Sequence, residues 1–85
     1  MDANEAREIT RRAKECRREY QEVMHAIREA AENGSFYFLF FPSKGVYITP
    51  ENMERLKREG FVVTEGGRML PENRAFHDIS WKEVG

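Results

Sequence analysis

Two irregular stretches hold most of the side chains suited to gripping a charged ligand. The first, Pro42 to Tyr47, contains Lys44 and Tyr47; the second, Gly66 to Arg74 with the residues just after it, contains Arg68, Arg74 and Phe76. Glycines at 45, 66 and 67 let backbone amides approach an anion. Lys and Arg neutralise phosphate, and aromatic rings stack on bases. A nucleotide-like ligand uses this set of groups, with Lys44, Arg68 and Arg74 as cationic contacts and Tyr47 or Phe76 near its base. The plainer alternative is a pair of ordinary surface turns. A further cationic feature is Arg7, Arg11, Lys14 and Arg18 at helical spacing, with Arg12 and Arg17 beside them. Such a stripe can grip phosphates. Glu8, Glu15, Glu19 and Glu22 stand three or four residues from these cations and can pair with them on a helix, so a solvated face is expected and nucleic acid is disfavoured.

Catalysis is harder to assemble. A nucleophilic site needs a nucleophile, a base and an orienting group that converge, and the chain has two histidines and one cysteine. His25 falls next to the apolar seam of a long helical stretch, which suits a partly exposed or core-edge role. His77 and Asp78 are neighbours on a strand, so their side chains face opposite ways and form no dyad. Cys16 reads as a small seam residue. One cysteine and two scattered histidines make no zinc pattern, and Pro42-Ser43-Lys44-Gly45 lacks the spacing of a P-loop. The expectation is a non-enzyme with no metal and no cofactor.

The element that must position these groups is the run Phe36 to Phe41, six apolar residues between Asn33-Gly34 and Pro42. A short aromatic run bounded by Gly and Pro reads as a strand. Phe36, Phe38 and Phe40 then point one way, and Tyr37, Leu39 and Phe41 the other. Both faces are apolar. Two helices cover one of them, and the other needs long loops, a ligand or a second subunit. Tyr37 and Trp81 are expected in the packed sheet rather than in a ligand cage.

Asp2 to Asn33 contains neither Gly nor Pro and is dominated by helix formers. Ala6, Ile9, Ala13, Cys16, Tyr20, Val23, Ile27 and Ala30 alternate in steps of three and four, a heptad seam. A helix over 2–33 is roughly 45 Å long, against about 20 Å for a six-residue strand. Its N-terminal half should overhang the sheet. The seam residues there want a partner, or else that half stays solvated and frays. A charge at Ile9 is expected to separate subunits, and a charge at Tyr20 to damage the fold.

Val46 to Ile48 is a candidate short strand. Thr49-Pro50 then opens a second helix, with Thr49 as N-cap, Pro50 in the first turn and an Ile48–Met53 staple. Gly60 ends it, with Phe61 folding back on Leu56. A strand over 61–65, a long loop over 66–74 and a last strand over 75–81 complete the order. Pro71 and its polar neighbours argue against regular strand in that loop. The expected fold is α+β: a long N-terminal helix and a short second helix on one face of a small, mainly antiparallel sheet, in the order α-β-(β)-α-β-β. It forms a single domain over 1–85, with the long helix at 2–33 and a strand-helix-hairpin unit at 36–81.

At 85 residues the chain supports only a modest core, and oligomerisation is a common supplement at this size. Its charged fraction of 34% nets to −1, which excludes a polybasic tail or a wholly acidic DNA mimic. The lone cysteine fits a reducing compartment. The polar start Met1-Asp2-Ala3-Asn4-Glu5 is no signal peptide, and no apolar run approaches the roughly 20 residues of a membrane span. A cytoplasmic setting is expected.

One resemblance is visible between Ala30 and Trp81. A helix followed by Asn33-Gly34-Ser35-Phe36 opening a strand, then Ile48-Thr49-Pro50-Glu51, then Leu56 to Val63, then Ile79-Ser80-Trp81 resembles a loose group of small tailed-bacteriophage proteins. The chain departs from that pattern at Pro42 to Tyr47, which looks like an insertion, and in the long stretch Gly66 to Arg74. The resemblance implies a phage accessory protein that counters host defence in the bacterial cytoplasm. Such a protein either sequesters a nucleotide-derived signal as a homo-oligomeric sponge, or acts as a protein–protein module that inhibits a defence protein or serves as a minor virion component.

Overall fold

The first helix starts where a carboxylate can cap it. The computed structural model describes residues 1–82 and begins α1 at Ala3–Glu32, with Asp2 as N-cap; its Oδ1 accepts the Glu5 backbone N–H at 2.8 Å. Gly34, at φ 86°, ends the helix by donating to the Ala31 carbonyl while Ser35 donates to that of Ala30. This is the paired bond pattern that a left-handed residue after a helix allows. Residues 1–15 are all exposed, and burial along α1 begins only near Cys16 and reaches zero exposure at Val23. The overhang anticipated from helix length is therefore present, and the molecule is 50 Å in its longest dimension.

The second helix, α2, runs Pro50–Arg58 and closes in the expected way: Gly60 at φ 98° donates to Lys57 and Phe61 donates to Leu56. Ile48 and Leu56 are buried, and Met53 packs against the same cluster. Thr49 occupies the N-cap position, but its hydroxyl does not bond the helix N–H groups. It turns to α1 instead, as described below.

The sheet is wholly antiparallel. β1 (Tyr37–Phe40), β2 (Val62–Val63) and β3 (Gly67–Met69) all pair with β4 (Arg74–Ser80), β1 on one side and β2 with β3 on the other. Phe40 stands opposite His77, Val63 opposite Ile79, and Gly67 opposite Phe76. Three residues, Thr64 to Gly66, thus face two, His77 and Asp78, and the strand pair bulges by one residue. The bulge is held by side chain and backbone together. Thr64 N–H donates to the Asp78 carbonyl at 3.0 Å, and Asp78 N–H donates to Thr64 Oγ1 at 2.9 Å.

Three local expectations change. The 66–74 stretch is not all loop: it carries β3, and the turn is confined to Leu70–Asn73. Pro71 lies in that turn, outside the ladder, so its missing N–H removes no sheet bond. The strand over 61–65 contracts to two residues, because Phe61 closes α2 and Thr64 enters the bulge. Val46 to Ile48 forms no strand; the Ile48 N–H goes to a histidine side chain rather than to a ladder.

Both helices lie on one face of the sheet. Val23, Ile27, Phe40, Ile48, Leu56, Val63 and Ile79 form the core, bordered by Phe38, Phe61 and Trp81. Trp81 sits edge-on to Phe38 and Phe61. Tyr37 does not join the packed side; it is 68% exposed on the opposite face. Among the described residues no helix is long and apolar enough to cross a membrane. The last three residues of the expected 1–85 domain lie outside those described.

Candidate functional site

Strand direction gathers the two irregular stretches at one end of the sheet. β1 finishes opposite His77 and β3 finishes opposite Arg74, so the loop leaving β1 and the Leu70–Asn73 turn both emerge near the start of β4.

Three side chains anchor the loop that joins β1 to α2. Glu22 on α1 accepts the Ser43 backbone N–H at 3.1 Å and its hydroxyl at 3.0 Å. Glu19, one turn earlier, takes three donors on a single oxygen: Thr49 N–H at 2.9 Å, Thr49 Oγ1 at 2.8 Å and Asn52 Nδ2 at 2.8 Å. Asn52 is buried and also donates to the Cys16 carbonyl at 2.8 Å. The Glu19 carboxylate therefore does from another element what the glutamate of a capping box does locally, accepting the N–H of the N-cap residue. A negative charge at the start of α2 is also favourable for the helix dipole.

The third anchor is His77, which is 1% exposed. Its Nε2 lies 3.0 Å from the Ile48 backbone nitrogen and its Nδ1 lies 2.9 Å from the Thr64 carbonyl oxygen. A backbone N–H only donates and a carbonyl only accepts, so Nε2 is the acceptor and Nδ1 carries the proton. The ring ties the loop to the bulge and has no nitrogen left over. Asp78, next in sequence, is exposed on the other face, as strand alternation requires.

Between these anchors the tip of the loop is free to meet solvent. Lys44 and Tyr47 line a groove of about 420 Å³ against α1, shared with Arg12, Glu15 and Glu51. The Tyr47 ring stands edge-on to His77 at 5.6 Å between centroids. Gly66 lies directly beneath it: at φ 107° the backbone is left-handed, and a Cβ there would sit 2.7 Å from two ring carbons. Only glycine meets both demands. The Arg68 guanidinium lies 5.4 Å from the Tyr47 ring centroid, while its Nη1 donates to the Asn73 carbonyl at 3.0 Å.

Arg74 and Phe76 sit elsewhere. Arg68 pairs with Ala75, whose side chain is buried on the helix side, whereas Arg74 and Phe76 alternate onto the uncovered side. There the Arg74 guanidinium lies 4.8 Å from the Phe41 ring centroid, and Phe41 lies 6.2 Å from Phe76. Lys44, Tyr47 and Arg68 thus lie on the helix side of this end of the sheet, and Arg74 and Phe76 on its reverse. Within one chain the five do not surround a single ligand.

Glu19 and Glu22 were not visible as loop anchors in the sequence, where they read as partners of the basic stripe. The signal that could have separated them is phase. Each directly precedes a seam residue, Tyr20 and Val23, and so borders the packed side of α1. The stripe itself is exposed: Arg7 donates to Asn4 at 2.9 Å and Arg11 lies 3.5 Å from Glu8. His25 is exposed and lies 3.3 Å from Glu29. Among the described residues no group of three or more His, Cys, Asp or Glu is placed to hold a metal. Comparison with protein-family models, curated protein sequences and solved structures finds no match.

Proposed function

We propose that this chain is a non-catalytic binding protein of a tailed bacteriophage, which self-associates and sequesters a nucleotide-derived anion in the host cytoplasm to blunt a defence signal. The observation that carries the ligand reading is the Arg68–Tyr47 stack at the sheet end, with Lys44 on the adjoining loop. A guanidinium held over an exposed ring by a backbone bond places a phosphate contact beside an aromatic side chain. The phage setting rests on the sequence resemblance. The non-catalytic reading is supported at His77, which gives both ring nitrogens to backbone groups.

Thermal-shift screening against cyclic dinucleotides and ADP-ribose derivatives tests the reading. A ligand that binds only the folded chain adds about 2.7 kcal/mol of stability at 100 times its Kd. The expected outcome is a raised Tm with at least one of these compounds, and weaker binding by calorimetry in Arg68→Ala. Losing a charge-assisted contact lowers affinity by roughly 10- to 150-fold.

A second reading is favoured by a different observation, the uncovered sheet face with Tyr37, Leu39 and Val62 exposed. On that reading the chain is a protein–protein module, an inhibitor of a defence protein or a minor virion component. A flat thermal-shift screen with retained folding would leave this reading in place of the first.

A further inference from the structure

We infer that the uncovered face of the sheet is a two-fold homodimer interface, in which β4 of one protomer crosses β4 of its partner antiparallel and face to face, centred on Phe76. This rests on the self-association put forward above and not on the ligand.

The first observation is the composition of the face. Tyr37, Leu39, Val62 and Met69 are 68%, 44%, 61% and 41% exposed, and Phe41 and Phe76 are half-buried among them. Their strand neighbours on the other side, Phe38, Phe40, Val63 and Ile79, are packed under the helices. A face with this many exposed apolar side chains on either flank of β4 marks an association surface. Its centre is flat as well as apolar. Gly67 stands opposite Phe76, and a Cβ at Gly67 would sit 3.0 Å from the Phe76 ring, so the ring lies down across the strand and leaves no ridge.

The second observation selects the occupant. Along β4 the uncovered side chains run Arg74, Phe76, Asp78, Ser80. Arg74 and Asp78 are opposite charges placed symmetrically about Phe76, each about 7 Å from it along the strand. A two-fold axis through Phe76 and perpendicular to β4 reverses the second strand. Arg74 then stands over the partner's Asp78, and Asp78 over the partner's Arg74. The parallel arrangement would put like charges together at both places. The same antiparallel crossing keeps each flank of β4 over the partner's same flank, so Val62 lies over the partner's Met69 and Leu70, and Leu70 is 81% exposed at the hairpin tip. The face is therefore complementary to itself in charge and in apolar content, which is what a two-fold contact requires. Sheets packed in this way lie about 10 Å apart with their strands within about 30° of alignment.

Arg74→Glu and Asp78→Arg test this directly. Both residues are exposed, so neither change should alter the circular dichroism spectrum. In light scattering at micromolar concentration, the wild-type chain is expected at twice its 10.0 kDa mass. Each variant alone places like charges at both contacts and should be monomeric, its dissociation constant raised about 100-fold or more. An equimolar mixture restores opposite charges at both contacts and should be dimeric again. A monomeric wild type overturns the inference together with the self-association reading. A dimeric wild type whose single variants also stay dimeric, or whose mixture stays monomeric, overturns this interface alone and leaves self-association standing on another surface. Neither result touches the nucleotide screen.

Discussion

The two faces of the sheet are built from the same strands and end in opposite conditions. On β1, Phe40 is 4% exposed while Leu39, its neighbour, is 44% exposed. On β4, Ile79 and His77 are buried while Asp78 between them is exposed. Apolar content does not account for the difference, since β1 is apolar on both sides. Cover accounts for it. The Gly34 turn sends β1 back under the C-terminal half of α1, and the anchored 43–49 loop delivers α2 to the same side. One face becomes core because two helices reach it, and the other keeps its aromatic residues exposed or half-buried because no helix among the described residues packs on it.

The largest effect that can break this contrast is a cavity on the covered side. Ile79→Ala removes a fully buried side chain and should cost about 2–5 kcal/mol. Leu39→Ala, on the reverse face, should stay within about 0.5 kcal/mol when the chain is dilute enough to be monomeric. Urea unfolding followed by circular dichroism measures both. Comparable losses at the two positions would mean that the uncovered face carries core weight within a single chain.

A smaller effect separates His77 from Asp78. His77→Phe keeps a ring of similar shape and leaves the Ile48 N–H and the Thr64 carbonyl without their partner. Each orphaned group costs about 1–3 kcal/mol and the more apolar ring offsets part of this, so a loss of about 2–4 kcal/mol is expected, with faster hydrogen exchange at the Ile48 amide. Asp78→Asn should be nearly neutral in the monomer. An unchanged Ile48 amide in His77→Phe would show that the loop is held by Glu19 and Glu22 without the ring.

Glu19→Ala sharpens the same point from the helix side. Three donors lose one acceptor, but Thr49 and Glu19 are only half-buried and water replaces part of what is lost. A cost of about 1–2 kcal/mol is expected. Fraying should be confined to the first turn of α2 and be visible as exchange at Met53, whose N–H donates to the Thr49 carbonyl.

Legibility in the sequence followed how local each cause was. Both helices could be read to within a residue or two, because Asp2, Gly34, Pro50 and Gly60 act on their own neighbours. Strand alternation at His77, Asp78 and Ile79 was equally plain. The position of β3 was not, because Pro71 reads as a strand breaker until the register shows it in the turn. Glu19, Glu22 and His77 were opaque for a related reason: each satisfies backbone groups 21 to 30 residues away in sequence, and no pattern along the chain records such a pairing. That the two irregular stretches share one end of the sheet was left open by the sequence and is decided by the register of β1 and β3 on β4. The candidate ligand residues were not separated by face either, since the extra residue of the 64–66 bulge decides which side Arg68 takes.

The smallest expected effect lies at the far end of α1, where the comparison between covered and uncovered surface repeats itself on one seam. Val23 is fully buried and Ile9, two heptads earlier in the same register, is 55% exposed. Ile9→Asp should change unfolding free energy by no more than about 0.5 kcal/mol, because it removes no packed neighbour and strands no polar group. Tyr20→Asp should cost more, since that ring is half-buried with the Arg55 guanidinium 3.8 Å from its centroid. It should lose helical circular dichroism on mild heating where Ile9→Asp does not. Light scattering of Ile9→Asp then assigns the seam. With the sheet face as the two-fold contact, the variant stays dimeric like the wild type. Dissociation to monomer by this one exposed charge would instead place the primary contact on the overhanging helix, where the heptad spacing of Ala6, Ile9 and Ala13 would then describe an intermolecular seam.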